Sequence, residues 1–168
     1  MILAHYVSTG AFSGNDFFAN VAGWCAKKVD VPVSIHLDHG ADFAICMEAI
    51  RLGFTSVMID GSQFETEENA AMTREVIKVA RCFGLPVEAE IGQLQRLENG
   101  VVQENKNIAD PAMVKAFLLL CQPDTLAVGI GNAHGYYHGK PDIHLDVLEQ
   151  VRKFTDIPLV LHGCTGMD

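Results

Sequence analysis

Three histidines stand at the ends of three separate apolar runs, and each is followed at once by glycine. His39 closes Val-Ser-Ile-His-Leu-Asp-His, His134 closes Leu-Ala-Val-Gly-Ile-Gly-Asn-Ala-His, and His162 closes Pro-Leu-Val-Leu-His. Three neutral imidazoles with one open position describe a catalytic zinc site, where the ion polarises a carbonyl or activates a water. Asp38 directly precedes the first histidine. It could orient a histidine, act as a general acid and base, or simply cap the helix that follows. Glu88 and Glu90 end a fourth apolar run. Glu90 could touch the metal, orient a ligand, or pair with a cation. His36 is set back from His39, and His5, His138 and His144 have no comparable context, so all four are read as non-ligands.

Residues so far apart in sequence meet only if the fold gathers strand ends, which a parallel sheet does on its C-terminal face. Short apolar runs at residues 2–7, 31–37, 56–59, 86–91, 125–130 and 157–161 read as strands buried on both faces. Helical stripes lie between them: Phe17, Val21 and Trp24; Phe43, Cys46, Met47 and Ile50 between a cap at Asp42 and a stop at Gly53; and Val76, Ala80 and Phe83 before Gly84. Two more follow, at Met113, Phe117 and Leu120 after Asp110-Pro111 and at Val147, Val151 and Phe154. Residues 92–107 are polar and without period, and read as a long loop at a strand end. Strict alternation of strand and helix suits a doubly wound sheet or a TIM (β/α)8 barrel, and functional residues at several strand ends favour the barrel. A complete barrel takes about 250 residues. The expectation is therefore a single α/β domain over residues 1–168 that forms an incomplete barrel of six strands, lacking the first and last.

The composition narrows the partners. A net charge of −9 disfavours binding to nucleic acid or to an anionic membrane, while leaving room for a local phosphate pocket. Five cysteines form an odd set without a CxxC pair, which fits a reducing cytoplasm. No leader-like start is seen, and no apolar stretch reaches the roughly 18 residues of a membrane span.

Several ordered motifs together resemble one family. They are Val-Ser-Thr-Gly-Ala (7–11), His-Leu-Asp-His-Gly (36–40), Gly-Phe-Thr-Ser-Val-Met-Ile-Asp-Gly-Ser (53–62), Val-Glu-Ala-Glu-Ile-Gly (87–92), Leu-Ala-Val-Gly-Ile-Gly-Asn-Ala-His-Gly-Tyr-Tyr (126–137) and Pro-Leu-Val-Leu-His-Gly-Cys-Thr-Gly (158–166). This set resembles the zinc-dependent class II ketose-bisphosphate aldolases across nearly the whole chain. The resemblance implies that His39, His134 and His162 hold zinc, that Asp38 exchanges a proton with the substrate C4 oxygen, and that Glu90 is an accessory metal-site carboxylate. It implies that Glu98 moves the C3 proton, in a loop where Gln95-Arg96 replaces the family's paired small residues. Phosphate would be bound by backbone N–H groups at Gly135, Gly163, Thr165 and Gly166, with Ser8 and Lys140 as side-chain donors; Cys164 departs from the family's small residue there. A monovalent cation, Na+ or K+, would sit near the carbonyls of Ala133, Gly135 and Gly163.

The implied activity is reversible cleavage of fructose 1,6-bisphosphate or tagatose 1,6-bisphosphate to dihydroxyacetone phosphate and glyceraldehyde 3-phosphate. The full-length form would be a homo-oligomer. The family's eighth-strand asparagine has no counterpart in this chain. Two other readings stand beside this one: a truncated, inactive aldolase-like chain that works by association, and a zinc hydrolase on the same scaffold.

Overall fold

The run Val-Glu-Ala-Glu-Ile alternates apolar and acidic residues, so as a strand it sends valine, alanine and isoleucine to one face and both glutamates to the other. A computed structural model of the protein, describing residues 1–6, 14–92, 95–96, 108–134 and 142–164, shows this alternation in the central strands of the sheet. Its strands are β1 (Ile2–Tyr6), β2 (Ser34–Gly40), β3 (Ser56–Ile59), β4 (Val87–Ile91), β5 (Gln95–Arg96), β6 (Thr125–Val128), β7 (Ala133–His134) and β8 (Leu159–Val160). Its helices are α1 (Asn15–Ala26), α2 (Phe43–Arg51), α3 (Thr66–Ala80), α4 (Pro111–Leu120) and α5 (Leu145–Val151). Six strands form one parallel sheet in the order β1-β2-β3-β4-β6-β8, and β5 pairs with β7 in a separate two-stranded sheet. Each long crossover advances the sheet in the same direction. A doubly wound sheet reverses direction once, so this order is that of a barrel.

Ile35, Leu37, Val57, Ile59 and Val87 pack with Ala19, Ala22, Cys46 and Ala49 of the helices in one core. Ala89, Ile91, Leu126 and Val128 pack with Val114, Phe117, Val147 and Val151 in a second. The central strands β2, β3, β4 and β6 are buried on both faces as expected, whereas Ile2 and Ala4 of the edge strand β1 are exposed, and the inner face is rich in polar groups. His36, Ser56, Glu88 and Thr125 are joined there by hydrogen bonds or short charged contacts. The helix starts follow the sequence signals: Asp42 accepts from Ile45 N–H at 2.8 Å, and Asp110 accepts from Ala112 N–H at 2.8 Å ahead of Pro111.

Two stripes face largely away from the expected side, and Phe43, Phe83 and Phe154, each at the end of another stripe, are exposed. Phe17, Val21 and Trp24 are 61%, 45% and 64% exposed. The face that α1 buries carries Asn15, Ala19 and Ala22, with Phe18 stacked on His5 at 4.5 Å between ring centroids. Both stripes have helical period, and small residues let a helix approach a sheet closely, so the alanine face packs inward. In α4 only Phe117 of the expected stripe is buried, with Val114 as its partner, whereas Met113 and Leu120 are exposed. The loop expected over residues 92–107 contains one short strand, β5, and otherwise lies outside the described residues. No helix among the described residues is long and apolar enough to cross a membrane.

A bulge in β2 matters most for the site. Leu37 pairs with Val57 but Gly40 pairs with Ile59, so β2 carries one extra residue, and His39 sits at φ 51° in the left-handed region. In a regular strand Asp38 and His39 would point to opposite faces. The extra residue lets both reach the same mouth of the sheet. Gly40 completes the turn, and a Cβ there would lie 2.5 Å from the Met58 carbonyl oxygen. Gly40→Ala is expected to cost about 1–3 kcal/mol, because a backbone atom must move to admit the methyl group. Urea unfolding checks this through the transition midpoint.

Candidate metal centre

The strand ends bring the three sequence-flagged histidines together. One ligand nitrogen from each of His39, His134 and His162 lies within 4.8 Å of the others. His39 Nε2 and His134 Nε2 are 3.0 Å apart, close enough to share a proton or to hold one cation between them. His134 is placed by the pairing of β5 with β7, in which it stands opposite Arg96. His162 is placed by Asn132, whose Nδ2 donates to the His162 carbonyl at 2.8 Å, and by Gly163 at φ 67°. A Cβ on Gly163 would lie 2.4 Å from the Ala133 carbonyl oxygen, so glycine allows these two strand ends to touch.

Two carboxylates flank His39 from behind. Its Nδ1 donates to Asp60 Oδ2 at 2.8 Å and lies 3.3 Å from Glu90 Oε2. Asp60 is itself aimed by Ser62, whose N–H and hydroxyl donate to Oδ1 at 3.1 and 2.6 Å. His39, Asp60 and Glu90 thus form a second potential ligand group sharing His39 with the first. Burial alone would lower the His39 pKa, but hydrogen bonds and charges from Asp60 and Glu90 outweigh it and push it up to about 10. Burial, aided by the Asp60 charge, raises Glu90. Asp60 is lowered: burial would raise it, but the bonds from His39 and Ser62 prevail.

The donor set fits a metal ion. Glu90 is 1% exposed, and the His39 Nδ1 that it meets at 3.3 Å is taken more closely by Asp60 at 2.8 Å, so among the described residues its oxygens lack a full set of partners. A buried, unsatisfied carboxylate beside convergent imidazoles calls for a cation. His39, His134 and His162 would supply three nitrogen donors to such an ion and leave a position open, and Asp60 and Glu90 would offer oxygen donors alongside.

Asp38 lies at the rim, half-buried, with Oδ1 3.5 Å from His162 Nδ1 and 3.9 Å from His39 Nε2. That places a carboxylate next to the ligand nitrogens yet open to the mouth. Glu88 lies one layer deeper and bonds His162 Nε2 through Oε1 at 2.8 Å. Of the other sequence-flagged residues, Gly163 is beside Ala133, whereas Ser8, Glu98, Gly135, Lys140, Thr165 and Gly166 lie outside the described residues. The sequence reading missed Asp60, although it ends the third strand run as Met-Ile-Asp-Gly-Ser and so occupies the same kind of position as His39. It also missed Asn69, whose Nδ2 donates to the Glu90 carbonyl at 2.8 Å from inside α3; a lone helical asparagine carries no such signal.

A parallel β/α sheet in sequential strand order, with convergent histidines and carboxylates at its C-terminal edge, defines a barrel-type α/β protein with a candidate metal centre. The family model of class II fructose-bisphosphate aldolases matches residues 1–168, and the chain belongs to that family. A probable fructose-bisphosphate aldolase of Bacillus subtilis (strain 168) is 45% identical over 140 residues, which are 83% of this chain and 49% of the relative. A 6-phospho-5-dehydro-2-deoxy-D-gluconate aldolase of Bacillus velezensis is 43% identical over 139 residues, 83% of this chain and 48% of the relative. The crystal structure of the YdjI aldolase from Escherichia coli K12 superposes with a TM-score of 0.85 at 31% identity, covering 100% of this chain and 58% of that one. The chain thus spans about half the length of the curated relatives it matches, and its fold is six strands of a TIM barrel.

Proposed function

We propose that this chain carries the zinc and C4-proton machinery of a ketose-bisphosphate aldolase acting on fructose 1,6-bisphosphate or its C4 epimer, tagatose 1,6-bisphosphate. The observation that carries the reading is the convergence of His39, His134 and His162 within 4.8 Å, with the Asp38 carboxylate 3.5 Å from a nitrogen of His162. Zinc held by these histidines supplies Lewis-acid polarisation of the carbonyl beside the bond that breaks. Asp38 accepts the C4 hydroxyl proton as the C3–C4 bond breaks. The aldehyde leaves, and the bonding electron pair stays with the C3 half. Glu98 returns a proton to C3, completing dihydroxyacetone phosphate. No lysine imine is needed in this scheme.

Phosphate would be held by Ser8, Lys140 and the backbone of Gly135, Gly163, Thr165 and Gly166. The carbonyls of Ala133, Gly135 and Gly163 are where a Na+ or K+ ion would bind. The same reading makes the full-length protein a cytoplasmic homo-oligomer, with an acidic surface that suits neither nucleic acid nor membrane. The ketose bisphosphate is favoured over the keto acid named for the Bacillus velezensis relative because other relatives, from Bacillus subtilis and Helicobacter pylori, carry the fructose-bisphosphate name.

A complete-barrel version of this sequence, offered each of the three substrates in turn, tests the assignment. Triose-phosphate release from one of the two bisphosphates is expected, and the faster epimer identifies the substrate. Turnover of the keto acid alone, or release of inorganic phosphate, would reject the reading. In that version Glu98→Ala is expected to slow exchange of the C3 proton of dihydroxyacetone phosphate by about 10²–10⁴-fold, followed by NMR in heavy water.

The open sheet favours a second reading, of a chain that works through association. Among the described residues β1 pairs only with β2 and β8 only with β6, and the Phe17, Val21 and Trp24 face of α1 is exposed. Sedimentation of the isolated chain is expected to show self-association, with triose-phosphate release far below that of the complete-barrel version. A monodisperse, fully active monomer would rule this second reading out.

A further inference from the structure

We propose that Glu88 is a positioning residue for the metal centre, selecting Nδ1 of His162 as the nitrogen offered to the ion, with the His36 ring, fixed by Ser56, set against its far side. The inference rests on His162 being a ligand, the reading made above, and goes beyond it in assigning roles to three residues that belong to neither ligand group.

The geometry begins in the sheet register. Glu88 stands opposite Met58 on one side and Thr125 on the other, and His36 stands opposite Ser56, so the four polar side chains share the inner face one layer beneath the metal group. Glu88 Oε1 lies 2.8 Å from His162 Nε2, and Thr125 Oγ1 donates to Oε2 at 3.3 Å. His36 Nε2 faces the same oxygen at 3.9 Å, too long for a hydrogen bond, while its Nδ1 is tied to Ser56 Oγ at 2.8 Å. Glu88 is 7% exposed and His36 is 9% exposed, so water does not compete for these contacts as it does at a surface.

The chemistry then fixes one tautomer. An ionised carboxylate only accepts, so the imidazole nitrogen facing it must carry hydrogen. With the proton on Nε2, the lone pair of His162 is on Nδ1, directed to the mouth where Asp38 Oδ1 lies 3.5 Å away. His39 repeats the pattern with the nitrogens exchanged: Asp60 takes Nδ1–H, and Nε2 turns toward His134. Each of these two histidines therefore has its own carboxylate, from adjacent strands, and the two present opposite nitrogens. The Ser56–His36 pair closes the far side of Glu88, which keeps the carboxylate from swinging away from His162.

Long-range 1H–15N correlation spectra of the histidine rings in the zinc-loaded 168-residue chain test the assignment directly. The expected result is zinc on Nδ1 of His162 with hydrogen on Nε2; zinc on Nε2 overturns the inference without any variant. Zinc affinity, measured by competition with a chromogenic chelator, is expected to fall about 10–100-fold in Glu88→Ala. Glu88→Gln, whose amide oxygen can still accept from Nε2–H, is expected to lose less, and Ser56→Ala less still. Cobalt-loaded protein should show shifted visible bands in Glu88→Ala but not in Ser56→Ala. Equal losses in Glu88→Ala and Glu88→Gln with an unchanged cobalt spectrum would mean that Glu88 only supports the fold, and would overturn the proposal. His134→Ala separates the role of Glu88 from the metal site itself. Weakened zinc binding there with wild-type affinity in Glu88→Ala rejects the role of Glu88 alone. Unchanged affinity in both rejects the metal reading beneath it.

Discussion

Zinc affinity is expected to collapse when His134 is replaced by alanine, by more than the roughly 10–100-fold that loss of a residue merely supporting a ligand costs. The ring of His134 is the exposed member of the three, so its removal opens no buried cavity and leaves the carboxylate contacts of His39 and His162 in place. What is lost is one of three nitrogen bonds at an open site, and two imidazoles hold zinc poorly. His39→Ala is a less clean experiment. It removes the shared member of both groups and leaves the half-buried Asp60 and the fully buried Glu90 without the imidazole between them. Chelator competition with metal-free protein measures the effect of His134→Ala, and urea unfolding of the same samples shows whether the fold is intact. An affinity equal to that of the unsubstituted chain would remove His134 from the metal centre.

Turnover in a complete-barrel version of this sequence is expected to fall by about 10²–10⁴-fold in Asp38→Ala, with zinc content unchanged. The carboxylate oxygen is 3.5 and 3.9 Å from ligand nitrogens of His162 and His39, near enough to reach a substrate hydroxyl beside the ion but without a place in either ligand group. Its removal therefore subtracts a proton acceptor rather than a bond to metal. A loss confined to the chemical step should leave KM nearly as it was while kcat falls, and Asp38→Asn should be as impaired as Asp38→Ala because an amide cannot accept the proton. Triose-phosphate release gives the rate, and atomic absorption gives the zinc. Loss of zinc in step with activity would make Asp38 a ligand or a ligand support and would overturn its assignment as the base.

The amino-acid sequence by itself determined the alternation of strands and helices, the positions of the caps at Asp42 and Asp110, and the placement of His39, His134 and His162 at strand ends, because each is written in local pattern and in the chemistry of a few adjacent residues. The family motifs extended the same reading to Asp38 and Glu90. Helix facing was not legible in this way. In α1 two stripes share the helical period, and only packing against β1 and β2 decides that Ala19 and Ala22 turn inward while Phe17, Val21 and Trp24 turn out. The tertiary structure alone decided which carboxylates meet the histidines. Asp60 and Glu88 come from strands beside those of the histidines they hold or from across the sheet, and their partnership depends on register and on the β2 bulge that swings His39 to the same mouth as Asp38. A period of two tells a strand which residues share a face. It does not tell which residues of other strands stand opposite them, because pairing between distant segments is set by how the helices pack the sheet into one curved layer.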